Sequence, residues 1–170
     1  MCTIKIIIII IIIRSSIGII QSLYNNSRCA VRSDGVMGNW FQNVTGVRQG
    51  CILSPILFLL VMDWVLKRAT NESNCGIPWA NSERLTDLDF ADDIVLMDTT
   101  WEGMMRLTSR IETEAGAVGL RINADKTKLM AVGHMGKSQS IMAEGRQVES
   151  VAEFCYLGSV ISDNSNCDKD

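Results

Sequence analysis

Apolar and polar positions follow several rhythms along this chain. From Arg14 to Asn26, the apolar residues Ile17, Ile20, Leu23 and Tyr24 recur at helical spacing, which predicts a short helix. The stretch CAVRSDGVMGNWFQNVTGV then reads as two strands around Gly38-Asn39, a turn dipeptide. Ile56 to Met62 is apolar all round, which predicts a helix buried on most faces. Ser54 is its expected N-cap, with Pro55 at the first helical position, where a missing N–H is no loss. Lys67 and Arg68 close it with charge suited to the helix dipole.

Further on, Leu85–Phe90 and Ile94–Met97 flank Ala91-Asp92-Asp93 as a hairpin with a tight turn. Thr99 and Glu102 form a capping-box pattern. Met104, Thr108, Ile111, Ala115 and Val118 follow at spacings of three and four, and Gly119 suits the helix stop. Strands are predicted at Leu120–Asn123, Lys128–Val132 and Phe154–Ile161. Helices interleaved with hairpins give an α+β fold with an antiparallel sheet.

Composition narrows the class. The 170 residues are 47% hydrophobic and 21% charged, which suits one folded domain rather than a disordered chain. The net charge is -3, whereas a chain that grips a nucleic-acid backbone unaided is usually basic. Any such grip must be local or supplied by other parts. None of the six cysteines has a CxxC or zinc-ribbon neighbour, so they read as reduced thiols of an intracellular protein, nuclear or cytoplasmic. Three Asn-X-Ser/Thr sequons matter only in a secreted protein. His134, the single histidine, sits in a Gly/Met/Lys loop and reads as solvated.

The run Ile6–Ile13 stands apart. Eight isoleucines are too few to span a bilayer, and no convincing small-residue cleavage site follows. It reads as a low-complexity addition, with a membrane anchor as the lesser alternative. The expected organisation is an isoleucine-rich N-terminus over 1–13, one domain over 14–161 and a polar tail over 162–170.

Asp92 and Asp93 pose the chemical question. Turns favour aspartate because its side chain bonds nearby backbone N–H groups, which is the bland explanation. Here both flanks are apolar and strand-like, so the turn is expected on a rigid, buried sheet. Like charges there repel and lose solvation unless a cation compensates. Oxygen ligands suit Mg²⁺ or Mn²⁺, and two such ions about 3.5–4 Å apart support in-line phosphoryl transfer.

The segment FADDIVLM resembles the catalytic aspartate box of reverse transcriptases, especially the non-LTR retrotransposon type. GVRQGCILSPILFLLVMDWVL resembles that family's template- and nucleotide-lining segment. GLRINADKTKLM resembles its following motif, and FCYLGSVIS its primer-grip segment. The four occur in the family's order between about Arg14 and about Ile161. The resemblance implies a partial polymerase palm, in which a catalytic-type hairpin packs on helices. It implies an RNA-directed DNA polymerase working by two-metal nucleotidyl transfer, with RNA template, DNA primer, dNTP and Mg²⁺ (or Mn²⁺) as partners.

Carried over by residue, the resemblance makes Asp92 the shared metal ligand and Asp93 its neighbouring carboxylate. Lys126 approaches the phosphates, where a lysine can stabilise or protonate leaving pyrophosphate. Arg48, Gln49 and Gly50 lie beside template and nucleotide. Phe90 supports the turn, Asn123 orients the Lys126 loop, and Tyr156, Leu157 and Gly158 hold the primer end. Singly, each has an ordinary reading: solvated charges for Arg48 and Lys126, plain core for Tyr156 and Leu157, a turn former for Asn123.

The family also carries an earlier strand with another essential aspartate. No aspartate or glutamate precedes Asp34 in this sequence, and Asp34 lies beside Gly35, out of place for that role. The chain is therefore expected to be inactive alone. Two other readings stand beside it: a non-catalytic nucleic-acid-binding remnant, and a small membrane-associated protein built around the isoleucine run.

Overall fold

A computed structural model describes residues 17–44, 46–71, 74–133 and 140–163. The isoleucine run, His134 and the tail from residue 164 lie outside the described residues. The chain divides between Val47 and Arg48 into two compact units.

In the first unit residues 17–24 are helical (α1). A nested hairpin follows: Arg32–Ser33 pairs with Val36–Met37, and outside it Arg28–Cys29 pairs with Phe41–Gln42. The turn falls on Asp34-Gly35, not on the expected Gly38-Asn39. A two-residue hairpin turn of type I′ needs left-handed backbone at both central positions. Asp34 and Gly35 supply it, with φ of 50° and 82°. The Gly38 N–H instead bonds the Val31 carbonyl at 2.8 Å, bridging the inner and outer pairs.

The second unit is built on two helices, α2 (Ser54–Thr70) and α3 (Trp101–Ala117). Ser54 is not the N-cap of α2; Leu53 takes that place and no side chain caps the helix. The Ser54 hydroxyl is turned the other way and donates to the Arg48 carbonyl. Pro55 sits in the first turn, and Lys67 and Arg68 in the last. Nor is α2 buried on most faces. Met62, Val65, Leu66 and Ala69 form one buried stripe, while Ile56, Leu59 and Leu60 are 57%, 47% and 60% exposed. One neighbouring helix covers only one stripe of a cylinder.

Helix α3 begins one residue later than the Thr99 pattern suggested. Thr100 is the N-cap, its hydroxyl oxygen accepting the Gly103 N–H at 3.0 Å. Asp98 selects it by accepting the Thr100 N–H at 2.7 Å and its hydroxyl at 2.9 Å. At the far end Gly119 has φ of +78°. Its N–H bonds the Gly116 carbonyl and the Leu120 N–H bonds that of Ala115, which satisfies the last turn.

Val65, Leu66 and Ala69 of α2 meet Ile111 and Ala115 of α3 in a first core cluster. Ile94, Leu96, Leu120 and Ile122 pack against it. A second cluster joins Ala124, Leu129, Ile141, Ala143 and Val148, with Trp101, Met104 and Ile122 against it. Ile122 touches both.

The longest strands make two hairpins. Strand β1 (Asp87–Phe90) pairs antiparallel with β2 (Asp93–Leu96), and β3 (Glu153–Tyr156) with β4 (Ser159–Ser162). Thus Phe154–Ile161 is not one strand but two, turning at Leu157-Gly158, whose φ values of 51° and 91° are left-handed. Residues 120–123 pair with no strand among the described residues; Leu120 and Ile122 pack against the cores instead. Of the stretch 128–132, Lys128–Leu129 alone pairs with a strand among the described residues, in parallel with Glu149–Ser150. Ile77–Pro78 with Arg84–Leu85 and Met142–Ala143 with Arg146–Gln147 complete the ladders. The described residues are α+β, with small and mostly antiparallel two-stranded sheets.

Candidate functional site

The hairpin that carries the paired aspartates is seated by its own alternation. Ile94 and Leu96, two positions apart, lie against the first core cluster. Asp93 and Phe90, directly opposite each other in the register, therefore share the outward face. Ala91 and Asp92 form the two-residue turn, and Ala91 is held at φ of 59°, a left-handed conformation that alanine rarely takes. The expected burial is not found: Asp92 and Asp93 are both exposed, and Phe90 is 62% exposed, because only the Ile94–Leu96 face of the hairpin meets the core. Their oxygens are the hard donors that a divalent cation prefers. Among the described residues no three His, Cys, Asp or Glu side chains gather as a metal-holding group. The pair by itself offers carboxylate oxygens from two residues only.

Lys126 stands on a loop that starts from the same core. Leu120 and Ile122 pack on the first cluster, and Ala124 is buried in the second. Between them the Asn123 carboxamide oxygen accepts the N–H groups of Asp125 and Lys126, both at 3.2 Å. The Asn123 carbonyl accepts the Thr127 hydroxyl at 2.8 Å. The Lys126 side chain is exposed. The Asp92-Asp93 hairpin and the Lys126 loop thus share one foundation, the α2–α3 core.

Arg48, Gln49 and Gly50 form the turn that leads into α2. The Arg48 carbonyl accepts the Cys51 N–H at 3.2 Å as well as the Ser54 hydroxyl, and Gly50 has φ of +81°. Tyr156 ends β3, half-buried, while Leu157 and Gly158 are the exposed turn beyond it. That hairpin is tied back by the Asp163 N–H on the Ala152 carbonyl at 2.9 Å and the Gly133 N–H on the Asp163 carbonyl at 3.3 Å.

One residue that sequence reasoning passed over is Asp98, just past β2. Its Oδ2 accepts the Gly76 N–H at 2.7 Å while Oδ1 holds Thr100, so it joins the Gly76 segment to the start of α3. Arg84 lies close, donating to the carbonyls of Cys75 and Gly76. Burial works against the Asp98 charge. The hydrogen bonds from Gly76 and Thr100 and the Arg84 charge outweigh it, and its pKa lies below the usual value. The available signal was an aspartate two positions before a capping threonine.

Comparison with known proteins identifies the family. Residues 9–161 match the family described as reverse transcriptase (RNA-dependent DNA polymerase). Over 141 residues the chain is 38% identical to a retrovirus-related Pol polyprotein from type-1 retrotransposable element R2 of Nasonia vitripennis. Over 140 residues it is 31% identical to that from type-2 retrotransposable element R2DM of Drosophila melanogaster. Each alignment covers 82% of this chain, but only 14% and 12% of those polyproteins. A transposon-derived protein of Caenorhabditis elegans is 32% identical over 89 residues, 51% of this chain and 32% of that protein. The chain belongs to the reverse transcriptase family, in its non-LTR retrotransposon branch.

Proposed function

We propose that this chain is a palm portion of a retrotransposon RNA-directed DNA polymerase, with Asp92 and Asp93 as carboxylate ligands of a divalent cation, Mg²⁺ or Mn²⁺. The observation that carries the reading is the seating of the pair. Two exposed carboxylates stand at the tip of a hairpin whose other face is fixed to the helix core through Ile94 and Leu96. When bound, the cation would neutralise phosphate charge during nucleotidyl transfer. The chain's own residues do the rest. Lys126 faces the phosphates of an incoming nucleotide, and Asn123 shapes its loop. Arg48, Gln49 and Gly50 border template and nucleotide. Phe90 supports the turn from the hairpin's outer face, and Tyr156, Leu157 and Gly158 hold the primer end. RNA template, DNA primer and dNTP are the proposed partners, inside the cell.

Two adjacent carboxylates make a weak site for a hard cation that takes about six oxygen ligands. The chain alone is therefore proposed to be inactive, its metal site needing a further carboxylate. NMR with added Mn²⁺ tests the ligand assignment. Selective broadening of the Asp92 and Asp93 resonances, lost in Asp92→Asn, is expected. Broadening centred elsewhere, or unchanged in Asp92→Asn, would remove the metal role. Primer extension with Mg²⁺ tests the second statement, and extension abolished by Asp92→Ala would show the chain to be active as it stands.

The remnant and membrane readings have less behind them. A net charge of -3 opposes tight backbone binding. No helix among the described residues is long and apolar enough to cross a membrane.

A further inference from the structure

Lys126 is exposed, and its ammonium enters no ion pair among the described residues, yet the residues before it are held from three sides. The Asn123 side chain binds the loop's N–H groups. Ala124, 6% exposed, is packed with Ile141, Ala143 and Val148. Asp125, the residue directly before Lys126, is gripped by Arg146. One guanidinium nitrogen, Nη1, lies 2.8 Å from Oδ1 and 3.0 Å from Oδ2.

Arg146 is itself placed. Its hairpin, Met142–Ala143 against Arg146–Gln147, turns on Glu144 and Gly145, with φ of 50° and 71°. The Glu144 N–H donates to Glu112 Oε1 on α3 at 3.1 Å, and Ala143 is fully buried. A continuous line of contacts runs from α3 through this hairpin to Asp125. Its last link is an ion pair whose side chains are 58% and 76% exposed, and such a pair adds little to stability. Its effect lies in the geometry of the loop it holds.

We propose that Arg146 is a positioning residue: by clamping Asp125, it sets the direction in which Lys126 meets a phosphate-bearing ligand. The proposal rests on the reading of Lys126 as a phosphate-facing lysine. Simple electrostatics gives the opposite sign for one variant, which makes the two separable. Asp125→Asn removes a negative charge beside Lys126 and leaves the Arg146 charge unpaired, so charge alone would tighten an anion. Lost positioning loosens it.

The test uses the 170-residue chain titrated with inorganic pyrophosphate, followed by NMR shifts of the Lys126 amide and side chain, with thermal melts alongside. Asp125→Asn and Arg146→Gln should each weaken pyrophosphate about two- to fivefold, the range to which the energy of an exposed pair converts. Melting temperature should hold in both, and the double variant should bind no more weakly than either single one. Binding as tight as, or tighter than, the native chain's in Asp125→Asn would overturn the positioning role. A different result marks failure of the underlying reading. If pyrophosphate leaves the native Lys126 signals unmoved, or binds Lys126→Ala unchanged, Lys126 is not phosphate-facing and the inference falls with it.

Discussion

Gly103→Ala probes the junction between the aspartate hairpin and α3. A Cβ on Gly103 would lie 2.2 Å from Asp98 Oδ1, 2.4 Å from its carboxyl carbon and 2.5 Å from Oδ2. The carboxylate has to leave. It would abandon the Gly76 N–H, the Thr100 N–H and the Thr100 hydroxyl, bonded at 2.7, 2.7 and 2.9 Å. Hydrogen bonds to a charged group contribute about 1.5–3 kcal/mol each when shielded from water, and less when exposed. The Gly76 bond is partly buried and the Thr100 pair is exposed, so the combined loss is about 2–4 kcal/mol. Alanine returns about 1 kcal/mol of helix propensity over glycine. The net expectation is a destabilisation of about 1–3 kcal/mol.

Urea unfolding followed by circular dichroism would measure it in a double-mutant cycle with Asp98→Ala. Asp98→Ala alone should lose about 2–4 kcal/mol. Once the carboxylate is gone, Gly103→Ala should be neutral or should stabilise by up to about 1 kcal/mol. If it destabilises equally in both backgrounds, the clash is not with Asp98 and the reasoning is refuted.

Two further expectations follow from the same structure. The Asp98 pKa lies below its ordinary value in the fold, so its stabilisation is complete above about pH 4 and is lost as the pH falls through the folded-state value. Asp98→Asn should flatten the acid limb of the stability curve, and a limb of unchanged steepness would deny Asp98 that role. Ile111→Ala, from 5% exposed, should cost about 2–5 kcal/mol, whereas Leu60→Ala, from 60% exposed, should change stability by no more than about 0.5 kcal/mol. Comparable losses in urea melts would mean that α2 is covered on both sides.

Local rules carried a good share of the structure. A tight turn within Ala91-Asp92-Asp93, most of the span of α3 and its stop at Gly119 were legible, because each depends on neighbours within a few residues, although Asp93 already belongs to β2 and Leu85 pairs with Ile77 instead of extending β1. Local rules also failed by small steps. Thr99 and Thr100 are equally good caps in isolation, and Asp98 decides between them by taking the N–H and hydroxyl of Thr100. Asp34-Gly35 and Gly38-Asn39 are both turn dipeptides, and the Gly38–Val31 bond settles which one turns.

What the sequence determined by itself was the order of helices and hairpins, the four ordered segments that mark the family, and the placing of Asp92 and Asp93 beside a turn. The elements and the turn follow from periodicity and spacing, which are short-range, whereas the four segments were legible only through their resemblance to a known family. Tertiary structure alone decided which side of α2 is buried, since an all-apolar run looks the same from every direction until α3 covers one stripe. It alone seated the Asp92-Asp93 hairpin and the Lys126 loop on one core. It also brought Arg146 to Asp125 across 21 positions, too far apart for any repeat or motif to connect them. Such contacts depend on where the packed core leaves each surface loop, and core packing is a property of the whole unit.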